Sequence, residues 1–127
     1  MGSLICGVHH VALKCDGTAE FEKTLHFYQD VLGLEPVRSW GEGENAGAML
    51  STGDGLLEIF ASGRKLPQGA IRHFALRTER VDDCVAAVRA AGYPITVEPN
   101  SLVIADLPAR IAFCVGPLHE EIEFFAS

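Results

Sequence analysis

Apolar and polar positions alternate along this chain in two rhythms. Gly7 to Lys14 follows period two, with Val8, His10, Ala12 and Lys14 on one face and His9, Val11 and Leu13 on the other. Cys15 to Thr18 reads as a turn, with Asp16 or Thr18 as the N-cap. Phe21, Leu25, Tyr28 and Leu32 then recur at helical spacing, which predicts a helix from about Ala19 to Leu32 stopped by Gly33. Strands are predicted at Glu35 to Trp40, Ala46 to Ser51 and Leu56 to Ala61, with Gly53-Asp54-Gly55 as a hairpin turn between the last two. Ser62 to Gly69 contains Gly63, Pro67 and Gly69 among polar residues and reads as a linker. The order then recurs. Ile71 to Arg77 is a strand with His73, Ala75 and Arg77 on one face, and Val81 to Ala91 is a helix with Val85, Val88 and Ala91 as its apolar stripe. Strand segments follow at Pro94 to Glu98, Leu102 to Asp106 and Arg110 to Val115, then a turn at Gly116 to Glu120 and a last strand from Glu121 to Phe125. The pattern is α+β, in two βαβββ modules at about 5–62 and about 69–127 of a single 127-residue domain.

The two modules also echo each other residue by residue. Leu57-Glu58-Ile59-Phe60-Ala61-Ser62 nearly repeats as Ile122-Glu123-Phe124-Phe125-Ala126-Ser127, and His10-Val11-Ala12-Leu13 repeats as His73-Phe74-Ala75-Leu76. The echoes lie 63 residues apart for the histidines and 65 for the glutamates, as two copies of one unit require. His10, Glu58, His73 and Glu123 therefore form a matched set of polar residues inside apolar, β-prone runs. A half-buried carboxylate loses hydration, and a metal ion restores it. Imidazole with carboxylate suits Zn, Ni, Co, Mn or Fe, and the lack of thiolates in the set argues against a closed structural zinc site. Two His and two Glu leave an octahedral ion with open positions for substrate oxygens. His9 is a weaker candidate than His10, because the repeat puts Arg72 opposite it and the alternation turns it to the other face. Glu120 and Glu121 are weaker than Glu123, since Glu121 aligns with Leu56, and His26 reads as a packed or surface residue of the helix.

Composition narrows the partners. A net charge of −7 disfavours nucleic acid and anionic membranes, and no apolar run reaches the length of a membrane span. Nothing near the N-terminus reads as a signal peptide or a lipidation motif, which predicts a cytoplasmic protein. Cys6, Cys15, Cys84 and Cys114 show no CxxC spacing and are expected to be reduced, packed thiols.

The chain resembles the vicinal oxygen chelate superfamily. The resemblance is carried by His9-His10-Val11-Ala12-Leu13, by Phe27-Tyr28-Gln29-Asp30-Val31-Leu32-Gly33-Leu34 and by the two strand glutamates. It implies paired βαβββ modules that wrap an incompletely closed, eight-stranded mixed β barrel around one divalent metal, commonly in a homodimer with the site between modules. The ligand set His10, Glu58, His73, Glu123 is most similar to that of glyoxalase I (lactoylglutathione lyase). That implies proton transfer on a hemithioacetal or hydroxycarbonyl through a metal-stabilised enediolate, with Glu123 as the base and Glu58 as its counterpart. Methylmalonyl-CoA epimerases are similar but typically have Gln at the Glu58 position, and extradiol dioxygenases resemble a two-His, one-Glu site. An epimerase, a dioxygenase and a non-catalytic small-molecule binder on the same fold are the alternatives. Lys14 stands where bacterial glyoxalases typically carry Arg, and Arg77 matches it in the second module. Both lie four residues from a ligand His, roughly 13 Å along the strand, and are candidates for binding a substrate carboxylate.

Overall fold

Strands form where the alternation predicts them, with the corrections given below. The computed structural model describes residues 2–63, 69–116 and 119–127, so segment 64–68 of the predicted linker and positions 117–118 of the predicted last turn lie outside the described residues. The elements are β1 (Gly7–Lys14), α1 (Thr18–Leu25) running on into a π-helical turn (His26–Val31), β2 (Glu35–Trp40), β3 (Gly47–Ser51) and β4 (Leu56–Phe60). They are followed by β5 (Ile71–Arg77), α2 (Val81–Ala90), β6 (Ile95–Ile104), β7 (Leu107–Val115) and β8 (Glu121–Ala126). The chain forms two compact units, one spanning His10–Arg72 and the other His73–Ser127 together with the N-terminal residues up to His9.

Each βαβββ set has the same internal order. In the first, the strands run β2-β3-β4-β1, with β4 antiparallel to β3 and parallel to β1. In the second they run β6-β7-β8-β5, with β8 antiparallel to β7 and parallel to β5. In each set the helix and the two strands after it make up the long connection that the parallel pair needs. The α+β class and the βαβββ order read from the sequence are the observed ones.

Strand alternation sends one row of side chains to the helix and the other to the opposite face. On the helix side of the first set, Phe21 of α1 packs against Leu13, Leu50, Leu57 and Ile59. In the second set, Val81, Cys84 and Val85 of α2 pack against Ala112, Cys114 and Phe124. Burying each such apolar side chain contributes about 1.5–3 kcal/mol, and truncating Phe21 to alanine would cost about 3–5 kcal/mol. The faces turned away from the helices carry the matched polar residues.

Several predicted details are corrected. Neither Asp16 nor Thr18 caps α1: the N-cap is Gly17, and the Glu20 carboxylate instead accepts the Asp16 N–H at 2.9 Å. The predicted helix does not stay α-helical to Leu32. Leu32 N–H bonds to the Phe27 carbonyl, an i→i+5 step whose wider winding shifts the 3.6-residue phase. Leu32 is therefore 56% exposed, and Leu34 packs on the core after Gly33 turns the chain at φ +79°. In α2 the stripe is set one turn earlier, by Val81, Cys84, Val85 and Val88, while Ala91 is the exposed C-cap.

The segments at Pro94 to Glu98 and Leu102 to Asp106 are a single strand, β6. It accommodates Pro99 because register shifts on either side of Val97 interrupt the ladder there. The connection to β7 is a two-residue turn at Ala105-Asp106, with Ala105 at φ +56°. Cys15, Cys84 and Cys114 are buried thiols as expected, but Cys6 is exposed. Among the described residues no helix is long and apolar enough to cross a membrane.

Candidate metal centre

The site residues are positioned by strand register. In the first set, β1 and β4 pair Ala12 with Glu58, and β3 places Met49 opposite Glu58. His10, two residues before Ala12, shares that face, and its Nε2 lies 3.2 Å from Glu58 Oε1. In the second set, Ala75 pairs with Glu123, and Phe113 stands opposite Glu123. His73, two residues before Ala75, brings Nε2 to 3.1 Å from Glu123 Oε1. The sequence echo is thus a geometric echo: a His, an alanine two residues on, and a glutamate beside that alanine on the parallel neighbour.

The small residue is part of the device. Ala12 and Ala75 are both fully buried, and a larger side chain at either place would compete with the glutamate beside it for the same space. The four polar residues are buried too: His10 is 1% exposed, Glu58 5%, His73 9% and Glu123 4%. Buried ionisable groups persist where partners replace water. Each couple offers one imidazole nitrogen and one carboxylate oxygen about 3 Å apart. Adjacent ligands roughly 2.1 Å from one ion are separated by roughly that distance. The donor types suit Zn, Ni, Co, Mn or Fe, so each couple offers a pair of donors that fits a divalent metal.

The rival candidates fall elsewhere. His9 is buried by stacking on Phe125, ring centroids 4.0 Å apart. His26 lies on the exposed side of the π-helical turn, paired with Asp30 at 2.9 Å. Glu121 is exposed and Glu120 half-buried at the start of β8. The two substrate-binding candidates both have local contacts. Lys14 Nζ sits 5.6 Å over the Phe60 ring. Arg77 lies against Gly7, where an added Cβ would come within 2.7 Å of the guanidinium, and donates to the Cys6 carbonyl at 3.4 Å.

Sequence reasoning missed Arg38 and Trp40. A register shift between Pro36 and Arg38 makes Val37 the extra residue, so that Arg38 pairs with Met49 and Trp40 with Gly47. Both side chains consequently share the face of Glu58. The alternation of Glu35 to Trp40 was the available signal, but its phase relative to the glutamate depends on that bulge. A groove of about 620 Å³ in the second unit runs past Thr78, Leu102, Pro108 and Arg110 and contains none of the four polar residues.

This architecture and this set of donors define a class. The chain belongs to the Glyoxalase/Bleomycin resistance protein/Dioxygenase superfamily, whose family model matches residues 7–123. Its fold is that of solved methylmalonyl-CoA epimerases. The Mycobacterium tuberculosis enzyme is 18% identical with a TM-score of 0.75, over 99% of this chain and 91% of that one. A Streptomyces coelicolor methylmalonyl-CoA epimerase variant in complex with 2-nitronate-propionyl-CoA is 21% identical, TM-score 0.72, over 97% and 98% of the two chains. A hypothetical protein from Bacillus halodurans is 17% identical with a TM-score of 0.72, covering 94% of this chain and 93% of that one. No curated protein sequence matches significantly.

Proposed function

We propose that this chain is a metal-dependent isomerase that moves a proton at a carbon next to a carbonyl, of the epimerase type. The observation that carries this reading is the repeated buried His–Ala–Glu arrangement, with His–Glu distances of 3.2 and 3.1 Å. In the proposal His10, Glu58, His73 and Glu123 hold one divalent ion, Ni, Co, Zn, Mn or Fe. When bound, the ion supplies Lewis acidity toward two neighbouring substrate oxygens. Glu123 is the base that takes the proton from carbon, and Glu58 is its counterpart that returns one. His73 Nε2 lies 3.1 Å from the Glu123 carboxylate and His10 Nε2 3.2 Å from that of Glu58, and in the proposal these nitrogens and oxygens are the atoms that would hold the ion. Met49 and Phe113, each directly opposite a glutamate, help exclude water from the carboxylates. A homodimer and a small-molecule substrate complete the proposal.

The epimerase reading is favoured by the fold of the solved neighbours, whose names give methylmalonyl-CoA as substrate. A second reading, the glyoxalase I reaction on a hemithioacetal, is favoured by Glu58. Its carboxylate, 3.2 Å from His10, would serve in this reading as a fourth, anionic ligand. The test is proton NMR in D₂O of protein loaded with each of the five metals. Loss of the α-proton signal of methylmalonyl-CoA supports the first reading. Conversion of the methylglyoxal–glutathione hemithioacetal to a thioester, without exchange on methylmalonyl-CoA, would replace it with the second. Neither reaction with any of the metals would overturn both.

A further inference from the structure

One row of side chains on the Glu58 face is not used by the proton transfer. Register carries it straight across the first set: Trp40 on β2 pairs with Gly47 on β3, Gly47 with Phe60 on β4, and Phe60 with Lys14 on β1. Phe60 is two residues beyond Glu58 on the same strand, so the row lies roughly 7 Å from the carboxylate's row. Its side chains touch one another. The Trp40 and Phe60 rings meet edge to face with centroids 5.9 Å apart, and Lys14 Nζ lies 5.6 Å from the Phe60 centroid.

Gly47 is what lets the indole lie flat. A Cβ built there would fall 2.3–2.5 Å from three atoms of the indole, closer than any real contact. Trp40, Phe60 and Lys14 are half-buried, so the row keeps an open side. Among the described residues Lys14 forms no ion pair, although the protein carries 17 acidic side chains against 10 basic ones. An aromatic surface ending in an uncommitted ammonium matches a planar apolar group that bears an anion.

We propose that Trp40, Phe60 and Lys14 form a recognition shelf for the part of the substrate remote from the reacting carbon, and that this part is a planar apolar group carrying a carboxylate. The proposal rests on the reading of the Glu58 face as the substrate side. It names the substrate class and the residues that select it. The aromatic rings take the flat group, Lys14 takes the carboxylate, and Gly47 keeps the indole in place.

The test uses the protein's single tryptophan, Trp40, as its own reporter. Full-length protein is titrated with phenylacetate, cyclohexylacetate and benzyl alcohol while indole fluorescence is followed, with and without added Ni or Zn. Saturable quenching by phenylacetate is expected, about tenfold tighter than by cyclohexylacetate or benzyl alcohol. Lys14→Met should weaken phenylacetate about tenfold while leaving benzyl alcohol unchanged. Phe60→Leu should weaken phenylacetate without altering its advantage over benzyl alcohol. Gly47→Ala should shift the emission maximum of Trp40 in the ligand-free protein.

Non-saturable quenching, equal affinity for the flat and puckered acids, or an unchanged affinity in Lys14→Met would each overturn the shelf. Glu123→Gln separates this proposal from the proton-transfer reading. That variant should lose proton exchange yet bind phenylacetate normally. A parent protein that binds phenylacetate but exchanges no substrate proton refutes the chemistry alone, and one that exchanges protons without binding phenylacetate refutes the shelf alone.

Discussion

Thr78 is where the end of β5, the strand bearing His73, is tied to its surroundings. Its hydroxyl donates to the Leu4 carbonyl at 2.6 Å and accepts the Arg80 N–H at 3.0 Å, and the Cys84 thiol donates to it at 3.5 Å. The residue is 1% exposed, so its hydroxyl is shielded from water. Thr78→Val keeps the shape and removes the donor and acceptor together. Two strong bonds are lost and two backbone groups lose their side-chain partner. At about 1–1.5 kcal/mol each, with partial rehydration of Leu4 near the N-terminus, the cost is about 2–3 kcal/mol. For a chain of this length that is a fall in Tm of roughly 7–11 °C. Urea unfolding followed by circular dichroism measures it, and the denaturant slope should not change. Thr78→Ser keeps the hydroxyl and should lose less than about 1.5 kcal/mol, the contribution of one methyl group. A Thr78→Val variant within about 0.5 kcal/mol of the parent, or no more destabilised than Thr78→Ser, would refute the reasoning.

Three further outcomes follow from the same structure. Glu123→Gln should retain bound metal but lose proton exchange by about 100-fold or more, as expected for removal of a positioned base; full turnover with metal bound would contradict that role. Asp82 has its carboxyl held below the ordinary carboxylate range, first by its hydrogen bonds from Arg110, at 3.0 and 2.8 Å. Its folded pKa is the depressed one, so the stabilisation is present above the unfolded value and disappears as pH falls through the folded value. Asp82→Asn should therefore reduce stability at neutral pH and converge with the parent in strong acid, which unfolding across a pH series will show. Burial raises the Cys15 and Cys114 thiols above their usual range, and Cys84 is buried as well. Iodoacetamide on native protein at mildly alkaline pH should label exposed Cys6 alone, and rapid labelling of a second thiol by mass spectrometry would be inconsistent with the core described.

What could be read in advance follows from where each signal resides. The matched His and Glu residues were legible because a charged residue inside Leu57 to Phe60 or Ile122 to Phe125 has no reason to be there unless something pairs with it, and because the set occurs twice. The alanine beside each glutamate emerges only from the strand register. The helix ends were less legible. The 3.6-residue period extrapolated to Leu32 fails when a π-helical turn changes the winding, and no residue type announces that change. Pro99 reads as a strand breaker, yet a bulge absorbs it and β6 runs on. Ala105-Asp106 lacks the Asn-Gly or Asp-Gly signature of a tight hairpin, since the pairing of β6 with β7 imposes the left-handed Ala105. Arg38 and Trp40 were hidden for a related reason: one bulge residue decides which face they join. Local propensity thus located the elements, while phase and register came from packing across strands.

Metal content tests the central claim most directly. Protein purified without a His tag or chelator should contain about one divalent ion per chain, or take up one from Ni, Co, Mn, Zn or Fe. His10→Ala should lose it while keeping the circular dichroism of the parent. A parent protein that binds none of these ions, or a His10→Ala variant that binds them equally well, would contradict the account.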